Sequence, residues 1–83
     1  MDRFVYQTKG VCSRAIEIEV EDGIILSVKF QGGCSGNTQG VAALARGLKV
    51  EDAIARLNGI RCGTKASSCP DQLSVALQEY LAR

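Results

Sequence analysis

Ile16-Glu17-Ile18-Glu19-Val20-Glu21-Asp22-Gly23-Ile24-Ile25-Leu26-Ser27-Val28-Lys29-Phe30 is the stretch that decides the fold. Apolar and acidic residues alternate from Ile16 to Val20, the two-residue period of a strand with one face buried. Asp22-Gly23 then separates two β-type runs, a strong signal for a tight hairpin. The return strand is expected to put Leu26, Val28 and Phe30 on one face and Ser27, Lys29 and Gln31 on the other. Upstream, Phe4 to Thr8 carries β-forming residues and reads as an edge strand, interrupted at Lys9-Gly10-Val11-Cys12. The three strands make an antiparallel meander.

After Gly32-Gly33-Cys34-Ser35-Gly36 the period changes. Val41, Leu44, Ala45 and Leu48 recur at helical spacing, and Gly47 ends or bends that helix. Val50, Ala53, Ile54 and Leu57 form a second short amphipathic stripe, closed by Asn58-Gly59. The segment Ile60 to Ser68 has no period and holds Cys62. A last helix starts near Ser68-Cys69-Pro70-Asp71, where proline suits the first turn and the aspartate complements the positive end of the helix dipole. Its buried stripe is expected to be Leu73, Ala76, Leu77, Tyr80 and Leu81. Strands first and helices afterwards give an α+β class: a three-stranded antiparallel meander followed by two to three helices packed on one face. Residues 1–83 read as one domain, without repeat, linker or low-complexity segment.

A chain of 83 residues has a small core, and such chains often lean on a metal, disulfides or a partner subunit, a homodimer included. Ten basic and nine acidic residues leave a net charge of +1 without the clustered Lys and Arg of a nucleic-acid surface. No run approaches the roughly 20 apolar residues of a membrane span. Met1-Asp2-Arg3-Phe4-Val5 lacks the apolar run of a signal peptide, so a cytoplasmic location is expected. There thiols stay reduced, and a cysteine set points to metal or redox work; two disulfides in a secreted chain are the alternative.

Cys12, Cys34, Cys62 and Cys69 each sit at a break in the hydrophobic pattern, beside Gly10, Gly32-Gly33, Gly63 and Pro70. A cysteine serving as core filler falls instead on an apolar stripe. The meander brings Cys12, at the turn into the second strand, and Cys34, at the end of the third, to one edge of the sheet. Cys34 enters the first helix and Cys69 opens the last. Helix N-termini offer unpaired N–H groups and partial positive charge that favour thiolate. Cys62 can fold back from its glycine-flanked loop. Four thiolates meeting tetrahedrally suit Zn²⁺ or an iron–sulfur centre, although the spacing is not the paired C-x-x-C of a zinc ribbon. The plainer reading is that two or three of these cysteines are small residues tolerated near turns.

Gly32, Gly33 and Gly36 permit a tight strand-to-helix turn, or form a nest of N–H groups for an anion or a cluster sulfur. The run is no P-loop, since its lysine and glycine spacing are missing. Glu17 and Glu19 read as the solvent face of a strand, and Tyr80 and Phe30 as core. With no histidine in the chain, no general base pairs with a nucleophile, which disfavours a self-contained enzyme and leaves the catalytic set empty.

Ser67-Ser68-Cys69-Pro70-Asp71-Gln72-Leu73 resembles the signature of the TSCPD domain family, with Ser67 in place of its threonine. Gly10-Val11-Cys12-Ser13, Phe30-Gln31-Gly32-Gly33-Cys34-Ser35-Gly36-Asn37 and Gly59-Ile60-Arg61-Cys62-Gly63 are similar to that family as well. The likeness covers nearly the whole chain. It implies that Cys12, Cys34, Cys62 and Cys69 act as a set. It also implies kinship with the C-terminal domain of adenosylcobalamin-dependent ribonucleotide reductases, and so a link to DNA biosynthesis. A more distant resemblance is to iron–sulfur scaffold proteins of the IscU/NifU type, whose three scaffold cysteines would fall at Cys12, Cys34 and Cys69. Arg14 stands where that scaffold has an aspartate and Ser68 where it has a histidine, and its chaperone-recognition segment is not evident in Arg61 to Ser67.

Three functions follow as expectations. The first is a metal-binding module with four cysteine ligands, zinc foremost, acting through a protein partner that the resemblance suggests is ribonucleotide reductase. The second is a thiol–disulfide role in re-reducing ribonucleoside-diphosphate reductase, with Cys62 and Cys69 as the pair. The third is iron–sulfur cluster assembly or carriage.

Overall fold

A computed structural model describes residues 2–8, 13–32, 35–60 and 68–82. Three strands, β1 (Asp2–Gln7), β2 (Ser13–Glu21) and β3 (Ile24–Gly32), precede three helices, α1 (Ser35–Ala45), α2 (Val50–Leu57) and α3 (Cys69–Leu81). The sheet is antiparallel in the order β1-β2-β3, so the expected α+β meander with helices after it is what forms. Asp22 and Gly23 both take positive φ, 52° and 77°. Glu21 pairs with Ile24 across them, the two-residue hairpin whose backbone twist matches that of its strands.

On one face lie Phe4, Ile16, Ile18, Val20 and Val28, all buried, with Tyr6 and Phe30 half-buried beside them. The register explains the grouping, because Phe4 and Val28 both stand opposite Ile18, and Tyr6 and Phe30 opposite Ile16. The other face is polar. Arg3 pairs with Glu19 at 3.1 Å, the Ser27 hydroxyl donates to Glu19 at 2.7 Å, and Gln31 donates to Glu17 at 3.2 Å. Glu17 and Glu19 are therefore the outer face of the sheet, as their alternation indicates.

The return strand departs from the expected pattern at its start. Ile25 is fully buried while Leu26 is 38% exposed. The cause is a register shift: Val20 pairs with Ile25 and Glu19 with Ser27, leaving Leu26 as an extra residue. A bulge of this kind reverses the side-chain parity on one strand only, so simple alternation from Val28 back to Leu26 fails. A second shift between Ser13 and Ala15 leaves Arg14 unpaired with β3.

The helices cover the apolar face, contributing Ala45, Val50, Ala53, Leu73, Ala76 and Leu77 to the same core as the strands. In α1 the buried row is Thr38, Val41, Ala42 and Ala45, wholly or partly covered. Leu44 lies off that row and is 78% exposed, against the expected stripe. Leu48 falls beyond the helix end. Its segment instead lines up with the start of β3: Ile25 N–H donates to the Leu48 carbonyl at 2.9 Å and Gly47 N–H to the Ile25 carbonyl at 2.8 Å. In α2, Val50 and Ala53 are buried and Ile54 and Leu57 pack against the core, as expected. In α3 the stripe ends at Tyr80, whose ring stacks on Phe4 with centroids 5.0 Å apart and whose hydroxyl donates to Asp2. Leu81, the last residue of α3, is 48% exposed rather than buried. No described helix is long and apolar enough to cross a membrane.

Ile18→Ala is expected to lower the unfolding free energy by about 3 kcal/mol, because the site is sealed on both sides. Leu44→Ser is expected to change it by no more than about 0.5 kcal/mol; chemical denaturation reads both. The Glu19 carboxyl is held below its usual range first by the Ser27 hydrogen bond, against partial desolvation, with Arg3 adding to the lowering. A lowered folded value stabilises above the unfolded one and is lost as pH falls through the folded one. Exposure keeps that contribution small. Ser27→Ala should move the Glu19 titration upward, read by NMR of the Glu19 side chain; an unmoved titration would contradict the assignment.

Candidate functional site

The Ser68-Cys69-Pro70-Asp71 turn is where the sequence motif meets geometry. Ser68 has extended backbone (φ −146°, ψ 170°) and its hydroxyl accepts from Asp71 N–H at 3.1 Å, the N-cap arrangement that starts α3. Proline in the first turn loses no helical hydrogen bond there. The same Ser68 hydroxyl donates to the Ile60 carbonyl at 2.6 Å. The Asp71 carboxylate accepts from Gly59 N–H at 2.7 Å, with Gly59 at φ 84°. In a capping box the acidic residue would reach back to the cap's own N–H; here it reaches to the chain leaving α2. Further along, the Asn58 side-chain carbonyl accepts from Ser74 and Gln78, each at 3.4 Å. Ser74 is fully buried, and its one hydroxyl proton is shared between that oxygen and the nearer Asp71 carbonyl, at 2.8 Å.

Cys69 is the first residue of α3 and is 7% exposed. The helix direction says where that thiol lies. Tyr80 fixes the far end of α3 beside Phe4 and Asp2, at the end of the sheet where the hairpin turns. Thirteen residues advance about 18 Å. The strand distance from Ile18, opposite Phe4, to Ser13 is about 17 Å. Laid along the strands from that anchor, α3 would bring its head toward the opposite rim, where β2 begins and β3 ends. The Tyr6 phenol is raised by burial and then by the Glu79 and Asp71 carboxylates, which sets Asp71 within electrostatic reach of that half of the sheet. At the rim Ser13 pairs with Gly32, and α1 departs from Ser35. A cleft of about 390 Å³ between β3 and α1 reaches the same rim at Gly32, with Val28, Phe30, Thr38 and Ala42 in its walls.

Of the four expected ligands, Cys69 is described, and it is buried at a helix head as its motif suggests. Cys12, Cys34 and Cys62 lie outside the described residues, as do Gly33 of the glycine nest and Ser67. Among the described residues no three Cys, Asp or Glu side chains gather as a cation site. Sequence reading treated Asp71 only as a partner of the helix dipole and missed its bond to Gly59; the Ser-x-x-Asp spacing signals a cap but not a tertiary tie. Buried Gln72 and Ser74 were missed too, and so was the tie of exposed Asn58 to α3, since polar contacts of this kind leave no periodic trace.

Comparison with known proteins gives one family: the TSCPD domain matches residues 3–81. No curated protein and no solved structure gives a significant match. The expected likeness to IscU/NifU scaffolds finds no support in these comparisons.

Buried at the helix head, Cys69 should be labelled by a bulky maleimide far more slowly in native protein than in urea. Pulse labelling with peptide mass mapping reads this, and labelling at the unfolded rate would contradict the placement.

Proposed function

The chain belongs to the TSCPD domain family, and on that footing we propose that it is a four-cysteine metal-binding module that works with a protein partner. Cys12, Cys34, Cys62 and Cys69 would hold one Zn²⁺ ion. The observation carrying this reading is a buried Cys69 at the head of α3; with α3 laid along the strands from its Tyr80 anchor, that head would lie toward the rim where Ser13 pairs with Gly32. Cys12 directly precedes Ser13, and Cys34 follows Gly32 by two residues. On this reading both thiols would be within reach of that rim, because consecutive Cα atoms are about 3.8 Å apart.

The donor chemistry fits. The chain offers thiols and no imidazole, and an all-thiolate set suits zinc in a closed, structural site rather than one with an open catalytic position. Bound zinc would supply cross-linking free energy to a chain with a small core. The kinship with the C-terminal domain of adenosylcobalamin-dependent ribonucleotide reductases suggests a ribonucleotide reductase as partner, a cytoplasmic location and a role in DNA biosynthesis.

A second reading is favoured by one contact. The Ser68 hydroxyl bonds the Ile60 carbonyl, so the neighbour of Cys69 is tied two residues away from Cys62 in sequence. Those two thiols could reduce a disulfide of the reductase, passing two electrons and two protons and becoming a disulfide themselves.

Elemental analysis of anaerobically purified protein, run beside a thiol count, tests the first reading. About one zinc per chain is expected, abolished by Cys34→Ser and Cys69→Ser and weakened by Cys12→Ser, while Cys62→Ser separates ligand from neighbour. Reduced, metal-free protein of undiminished stability would overturn it. Brown protein with visible absorbance would replace zinc by an iron–sulfur cluster. A Cys62–Cys69 disulfide poised within the cellular thiol range would favour the redox reading.

A further inference from the structure

We infer that Ser68 and Asp71 are positioning residues for the Cys69 thiol, a role that rests on the metal-site reading above. A cysteine in the first turn of a helix is placed by the helix axis and by whatever anchors that turn. Tyr80 anchors α3 at its far end; the near end is anchored by side chains of the turn itself.

Ser68 is 5% exposed, and its single hydroxyl proton goes to the Ile60 carbonyl while its oxygen accepts from Asp71 N–H. Both bonds together need a hydroxyl, which serine or threonine supplies and alanine does not. Asp71 adds the tie from its carboxylate to Gly59 N–H. That bond does nothing for the helix cap, which Ser68 already satisfies. Its effect is to hold the first turn of α3 against the chain leaving α2. Partners that orient a metal ligand without touching the metal commonly change affinity by 10- to 100-fold. Ser68 adjoins Cys69 in the backbone and Asp71 is two residues on, so a swing of this turn displaces the thiol directly.

The test uses Co²⁺ as probe in anaerobic titration of the reduced, metal-stripped full chain, read by its thiolate charge-transfer and d–d bands. Circular dichroism checks that each variant keeps its helices. Asp71→Ala and Ser68→Ala are expected to weaken Co²⁺ binding by about tenfold or more. Asp71→Asn, which keeps a carbonyl acceptor for Gly59, and Ser68→Thr, which keeps the hydroxyl, should stay close to wild type. Equal affinity in the alanine variants and wild type overturns the proposal, and so does failure of both conservative variants to restore it. Should the wild-type chain take up no cobalt, the metal reading fails by itself. Hydrogen exchange at the Gly59 amide then decides the tie: faster exchange in Asp71→Ala than in wild type and Asp71→Asn upholds it, and equal rates overturn it.

Discussion

The constraint on which the structure depends is that one apolar sheet face must be covered by three short helices. Ile16, Ile18 and Val20 are fully buried, and each such side chain contributes roughly 2–3 kcal/mol only while it stays out of water. Leu73 and Leu77 of α3 belong to that same core. Packing α3 there, with Tyr80 stacked on Phe4, fixes the helix against the apolar face. The burial of Cys69 at the head of α3 goes with that packing, and the proposed rim chemistry depends on it.

How much of this the sequence discloses depends on whether a residue's role is periodic. The hairpin at Asp22-Gly23 was legible because alternation and turn chemistry agree on it. The α2 stripe was legible because Val50, Ala53, Ile54 and Leu57 follow one face. Leu26 was misread because a single extra residue reverses parity and leaves no compositional mark. Leu44 was misread because three leucine or valine positions looked like a stripe, whereas smaller residues, Thr38, Ala42 and Ala45, occupy the buried row. Leu81 was misread because periodicity does not say where a helix ends, and Leu81 is the last residue of α3. At the candidate site the motif announced Ser68, Cys69 and Asp71, but only three-dimensional contacts show that Ser68 and Asp71 bind across to Ile60 and Gly59.

The two ends of α3 are held by different physics. At Tyr80 the anchor is aromatic stacking, an interaction of about 1 kcal/mol beyond area burial. At Ser68 and Asp71 it is a polar network, part-buried around the Ser68 hydroxyl and exposed at the Gly59–Asp71 bond. Tyr80 adds a polar contact of its own through its hydroxyl bond to Asp2. Cys69 stands in the turn that Ser68 and Asp71 anchor. The arrangement joins stability to function: the same first turn that starts the helix also aims its cysteine.

X-ray absorption at the metal edge of freshly purified protein interrogates the central claim most directly, since it reads the atoms around the ion rather than its quantity. The account predicts a zinc edge with a shell of four sulfur neighbours at about 2.3 Å. A shell dominated by oxygen or nitrogen, or fewer than three sulfurs, would contradict the gathering of thiols at this rim.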